Sequence, residues 1–489
     1  MNRKEVILFL LIALFYFLSV NSLFYTGGDN AHYLILAKSL SEGKGYSDIN
    51  IPSHPAETSY PPVFPLLLSP LVKFFGFSPF PPKILIILLA LSAFWILKKI
   101  SPPDSFYARW LPYLVILNPL IMGYSGVILS EIPYLFFSLL SIYWIKRDNW
   151  NIAVIFLVLA LFTRLIGISL LTAFIIYGVR KKKLSFLHWI IPLSLLLLWM
   201  LRGHWVGTEG GYMGNLFLVN PYNPGEGYLG LKSLAGRILL NTGAYALRDI
   251  PATFYPSLFS DISLEYFRKI YLLLMGIGLT ITVFTFRGWW KVFREKQDII
   301  SFYVPVYFAI LFLWPWKGSR FLVPIIPFLV YYLYIGIKNL AGKKILLSFL
   351  LFTFAFYLIQ DIKLVQERRK AVYAPEWASY VRAGVWIKEN TPSGVITSTR
   401  NPFLFYLFSE REGIGIPLKN PAEIRKEFQK TGVDYIIVPP TLEGVKKNQD
   451  VLKNFLYPFL ERYRNELEKV RALGTPPAYI YRIKQNNSP

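Results

Sequence analysis

Residues 3–33 read RKEVILFLLIALFYFLSVNSLFYTGGDNAHY. Arg3 and Lys4 stand ahead of an apolar run from Val6 to Leu23, and a polar, glycine-containing segment follows at once. The run is close to the ~20 residues a helix needs to cross a bilayer, and it lacks a clear small-residue cleavage site of a signal peptide. It is therefore expected to be a retained first span, with its basic end in the cytoplasm.

Composition extends that reading to the whole chain. Of 489 residues 54% are hydrophobic and 17% charged, against ~45–50% and ~25% in soluble domains. The excess belongs in lipid. The formal net charge of +23 would suggest nucleic acid in a soluble protein, but much of it sits in clusters between apolar runs. The chain carries no RNA-binding motif and no phosphate loop of the G-x-x-x-x-G-K-[ST] type, which argues against nucleic acid and cytosolic ATP as partners. With no cysteine, disulfides, thiolate catalysis and cysteine-ligated zinc are excluded.

Ten further apolar runs lie between Ile84 and Ile359. With Arg3-Lys4 inside, the clusters Lys98-Lys99, Lys146-Arg147, Arg180 to Lys183, Arg287 to Lys296 and Lys343-Lys344 fall after every second run. The positive-inside rule is then satisfied by about eleven spans. The stretch Val63–Phe75, with Pro65 and Pro70, is expected to lie at the interface without crossing. The expected fold is a polytopic α-helical membrane protein of the inner or plasma membrane, with its amino terminus cytoplasmic and a small α/β extracytoplasmic domain at its carboxyl end. Residues 1–360 would form the membrane domain, with outer loops 24–83 and 202–266, and residues 361–489 the α/β domain. Within the tail, helices are expected over Glu376–Glu389, Pro421–Lys430 and Val451–Lys469, and strands at Gly394–Ser398, Tyr435–Val438 and Ala478–Ile483.

The first outer loop places Asp29 just beyond the first span, Tyr33 four residues on, Ala37 eight on, Gly43 fourteen on, and Tyr60-Pro61-Pro62 ahead of an apolar helix. Ser130-Glu131-Ile132-Pro133 opens the fourth span, and Arg320-Phe321 is followed by Pro324 and Pro327. This pattern resembles the GT-C superfamily of membrane glycosyltransferases, in the branch holding protein O-mannosyltransferases, lipid A aminoarabinose transferases and bacterial lipopolysaccharide sugar transferases. The tail, with Trp386 to Pro392 and Asp434 to Val438, looks like the outer domain many members carry. The resemblance implies an inverting transferase that moves a sugar from a polyprenyl-phosphate donor to a hydroxyl of a glycan, lipid or protein. Many members have Glu where Asn30 stands, so contacts assigned to that second carboxylate do not carry over.

The residues suit such chemistry by themselves. Outside the membrane no nucleotide sugar is available, and transfer needs a base for the acceptor hydroxyl and cations for the departing phosphate. Asp29 is the candidate base. Glu131 would orient the acceptor, hold a cation or fix Asp29, while Arg320, Arg164 and Arg202 are the candidate phosphate ligands. Asn30, Tyr33, His54, Glu57 and Tyr60 belong to the loop expected to cover the substrate. Each has a plainer reading: Asp29 as a helix N-cap, Glu131 as a first-turn residue, Arg164 and Arg320 as structural residues, Arg202 as an interfacial anchor, and His54 and Glu57 as solvated loop. Four histidines and no H-E-x-x-H pattern argue against a metal site at His32, and a divalent cation elsewhere is left open. The competing functions are a polyprenyl-diphosphate oligosaccharide transferase or ligase and a lipid-linked sugar transporter. A transporter would carry charges in mid-helix and show inverted repeats, whereas these charges lie at run ends.

Overall fold

The fold is described here from a computed structural model covering residues 3–27, 29–101, 106–206, 216–220, 224–259, 268–338, 342–440 and 450–484, with the single positions 214 and 340. Parts of the expected loop 202–266, and Gly28 in the first loop, lie outside these residues. The chain divides into two compact units, one of Met1–Asn21, Thr58–Phe64 and Phe80–Arg369, the other of Ser22–Glu57, Pro65–Pro79 and Lys370–Pro489.

The first unit is helical. Five helical segments among the described residues are long and apolar enough to cross a membrane, among them Phe80–Ile100, Phe186–Trp205 and Ile270–Glu295; shorter apolar helices of this unit include Trp150–Leu161 and Ile299–Leu313. Glu131–Lys146 packs between Phe80–Ile100 and Trp150–Leu161. Arg268–Glu295 and Ile326–Lys338 approach so closely that a Cβ at Gly288 would strike the carbonyl oxygen of Tyr332, and one at Gly336 that of Phe284. Small residues at that crossing let the two backbones meet, as membrane helices require when water supplies no drive for association.

The apolar run from Trp110 to Met122 does not form one helix. Phe106–Ile116 ends before Asn118, which is extended, and Pro119 opens a second helix, Pro119–Ser125. Asn118 accepts from Leu120 N and Ile121 N, and Pro119 occupies a first-turn position where no N–H is needed. The amide of Asn118 donates to Thr253 O at 2.7 Å, so the break is tied to the packing around it.

The second unit holds helix Asn30–Ser41 and a five-stranded sheet of β1 (Ile396–Thr399), β2 (Gly413–Gly415), β3 (Val433–Val438), β4 (Leu467–Leu473) and β5 (Ala478–Ile483). The order is β2-β1-β3-β5-β4; β1 is parallel to β2 and β3, and the other pairings are antiparallel. Local signals explain the helix Pro421–Thr431. Asn420 caps it by accepting from Ala422 N and Glu423 N, Pro421 starts it, and Gly432 at φ 75° ends it in the left-handed region. Its Ile424 and Phe428, one turn apart, pack into a core with Ile436, Leu456 and Phe459.

One expectation fails in this unit. Helix was expected to run from Val451 to Lys469, but regular helix ends at Arg462 and residues 467–473 form β4. Leu467, Val470 and Leu473 are spaced by three, which mimics a helical face. The spacing comes from a register shift between Lys469 and Arg471, where Val470 is the extra residue of a bulge that resets the alternation.

Candidate functional site

In the membrane unit three distant stretches bring their charges together. Glu131 is the first residue of its helix and is fully buried. Arg164 sits in an extended break between Trp150–Leu161 and the 3-10 turn Leu165–Gly167, and Gly167 is required there because a Cβ would meet the backbone of Leu161. Arg320 lies in the 3-10 turn Ser319–Ile325. Tyr307 anchors that turn by donating to Phe321 O at 2.6 Å.

Both guanidiniums converge on one carboxylate oxygen. Arg164 Nη1 is 2.9 Å and Arg320 Nε 2.5 Å from Glu131 Oε1, and Arg164 Nη1 also donates to Ser130 Oγ at 2.9 Å. Glu131 Oε2 is buried with no hydrogen bond. Two positive groups against one negative one give this trio a charge of +1, concentrated where helices end. Glu131 thus acts on the arginines by holding them side by side. Arg202, in the last turn of Phe186–Trp205, stacks 5.2 Å over the ring of Trp199 and is not among Glu131's partners.

The remaining candidates belong mostly to the second unit. Asp29 occupies the N-cap position of Asn30–Ser41, yet its side chain makes no capping hydrogen bond. The capping reading of Asp29 therefore loses its main support. Asn30 and Tyr33 are buried in the first turn of that helix. His54, at φ 45°, pairs in an exposed position with Glu412 at 2.9 Å. Tyr60 falls in the membrane unit, in the segment Thr58–Phe64.

Glu57 is not a solvated loop residue. It is buried, and its Oε2 lies 3.0 Å from His32 Nε2, which also meets Asp48 Oδ1 at 2.6 Å. Burial alone would push the imidazole pKa down, but hydrogen bonds and charge from Asp48 and Glu57 outweigh it and raise it to about 9. Asp48 was missed from sequence. Its meeting with His32 depends on an antiparallel bridge between Ser47 and Ala56, which no local pattern announces.

Thr242, Tyr245, Phe286, Trp289, Phe308 and Phe312, among others, line a half-open, almost wholly apolar cavity of about 490 Å³ in the membrane unit.

The chain has a fold of several apolar helices and a small carboxyl-terminal sheet that it shares with solved structures. ArnT from Cupriavidus metallidurans, solved bound to undecaprenyl phosphate, matches over 98% of this chain and 98% of its own, with TM-score 0.58 at 11% identity. Its apo state matches with TM-score 0.55 at 12% identity, over 98% of this chain and 97% of that one. The arabinofuranosyltransferase AftD from Mycobacteria matches all of this chain with TM-score 0.50 at 11% identity, and this chain spans 40% of AftD's length. No family model matches the chain, and no curated protein matches it.

Proposed function

We propose that this protein is an inverting glycosyltransferase that takes a sugar from a polyprenyl-phosphate donor and passes it to a hydroxyl acceptor on the outer face of the membrane. The observation that carries the reading is the convergence of Arg164 and Arg320 on the buried Glu131. Two guanidiniums held in fixed orientation at helix ends suit the donor's phosphodiester and the phosphate monoester it becomes on departure, whose oxygens they meet in paired hydrogen bonds. The fold agrees, because ArnT shares it and binds undecaprenyl phosphate. In this reading the apolar cavity takes part of the prenyl chain. Asp29 is the base that accepts the acceptor's proton as its oxygen attacks the anomeric carbon, and the carbon–phosphate oxygen bond breaks with its electron pair leaving on the lipid phosphate. The topology is the eleven-span one, with both the acceptor-facing loops and the carboxyl-terminal domain outside.

Lipid binding tests the reading without requiring the sugar to be known. Native mass spectrometry of the purified protein should retain a polyprenyl phosphate but not the polyprenol of equal length. Replacement of both Arg164 and Arg320 by Ala should abolish that difference. Equal retention of phosphate and alcohol by the wild type would contradict the proposal.

A further inference from the structure

We propose that His32, Asp48 and Glu57 form a three-ligand site for a divalent transition metal of the zinc type. The site stands whether or not the chain transfers sugar. One imidazole nitrogen and two carboxylate oxygens lie within 4.8 Å of one another. The chain is built to bring them there. His32 projects from the first turn of Asn30–Ser41, while Asp48 and Glu57 come from the two arms of a hairpin whose bridge pairs Ser47 with Ala56. Asp48 N donates to Pro55 O and Glu57 N to Tyr46 O, so both acidic residues leave the hairpin on the face opposite Ser47 and Ala56. The ring of Phe403 packs against the imidazole at a centroid distance of 4.4 Å.

Charge and geometry favour a metal over a proton. The side chains of His32, Asp48 and Glu57 are 12%, 10% and 8% exposed, so the cluster is largely withdrawn from water. With a protonated imidazole it holds one positive and two negative charges, a net −1 in a poorly solvated place. A divalent ion on neutral imidazole brings the net charge of the three side chains and the ion to zero, which suits a poorly solvated place. A single N–H also cannot point along both contacts at 2.6 and 3.0 Å, whereas a cation between the three atoms satisfies all of them. Ligand atoms around tetrahedral zinc stand about 3.3 Å apart when each bond is ~2.0–2.1 Å. The imidazole contacts at 2.6 and 3.0 Å would open by about 0.7 and 0.3 Å to reach that spacing, and the two carboxylate oxygens already lie within 4.8 Å of each other. A nitrogen and two oxygens without sulfur suit zinc or manganese, and three protein ligands leave a coordination position open.

The loop also buries polar groups that it does not satisfy. Asn50, two residues beyond Asp48, is fully buried with neither amide atom hydrogen-bonded, and Asn30 leaves its Nδ2 unpaired in the same way. Such atoms are rare in a finished interior and fit a segment whose polar core is completed by an ion and its water.

The test uses the full-length protein in lipid nanodiscs, stripped with chelator and then titrated with Zn²⁺, with Co²⁺ as a spectroscopic stand-in. The wild type should bind about one equivalent by elemental analysis, gain thermal stability on binding, and show Co²⁺ ligand-field bands of a low-coordinate nitrogen and oxygen site. Asp48→Asn with Glu57→Gln should lose all three responses. His32→Lys sets an ammonium between the two carboxylates, so it should keep the fold and lose the metal even where the double variant unfolds. The proposal is overturned if wild-type protein binds less than about a tenth of an equivalent, or if His32→Lys binds Zn²⁺ as the wild type does.

Discussion

Replacing Glu131 by Gln tests how the arginine pair is held. The amide keeps an oxygen where Oε1 now accepts from Arg164 at 2.9 Å and Arg320 at 2.5 Å, so the shape of the contact survives and only its charge is lost. A hydrogen bond to a charged acceptor is worth ~1.5–3 kcal/mol and a neutral one ~0.5–1.5, so two contacts should lose roughly 2–3 kcal/mol together. The arginine side chains are 14% and 21% exposed, and solvent screening keeps the loss near the lower figure. Glu131→Ala, which removes the acceptor as well, should cost about 3–5 kcal/mol. Ligand binding then gives the distinguishing result. Without its carboxylate the trio's charge rises from +1 to +2, so a polyprenyl phosphate should bind Glu131→Gln more tightly and restore more stability than it adds to the wild type. At ~100-fold above its dissociation constant a bound lipid contributes ~2.7 kcal/mol, enough to offset most of the loss. Thermal unfolding in nanodiscs, with polyprenol as control, reads both effects. Unchanged stability of Glu131→Gln, or the same shift with phosphate and alcohol, would refute the reasoning.

Asp29→Asn should fold and melt much like the wild type, because the amide keeps the size of the side chain and an oxygen that accepts hydrogen bonds, while turnover falls by at least ~10²-fold as expected for a lost base. Retention of more than roughly a tenth of wild-type turnover would remove Asp29 from that role. Arg320→Ala should raise the apparent KM for the lipid donor more than for the acceptor, by about tenfold or more from loss of a charge-assisted contact, and an equal effect on both would favour a structural role. The exposed Ser393, replaced by Cys in this cysteine-free chain, should react with an impermeant thiol reagent in intact cells; labelling only after lysis would invert the proposed topology.

The sequence was most legible where one signal governs one element. The helix Val63–Phe75 has the bounds expected from its apolar run, and Asn420, Pro421 and Gly432 bracket their helix as local capping rules require. The break at Asn118-Pro119 was also written in the chain, but the hydropathy of the run masked it. What stayed hidden depends on pairing across distance. The bulge at Val470 gave a strand the spacing of a helix, and only its partner β5 decides between them. At the site, Glu131, Arg164 and Arg320 were legible as charges that a membrane protein does not place without reason. That the two arginines share one oxygen follows from how three separate stretches pack. The His32 cluster was hidden because local motifs hold their ligands at fixed spacing, whereas Asp48 and Glu57 reach the imidazole through the register of a hairpin.

The central claim is that the phosphate recognised by this protein carries a sugar on a prenyl chain. The most direct measurement incubates the purified protein in lipid with a panel of radiolabelled polyprenyl-phosphate sugars and follows both label and lipid. The account predicts that at least one donor is consumed, that free polyprenyl phosphate appears in step with it, and that Asp29→Asn abolishes both. Consumption of a nucleotide sugar, or a protein that binds these lipids tightly and leaves every donor intact, would contradict it.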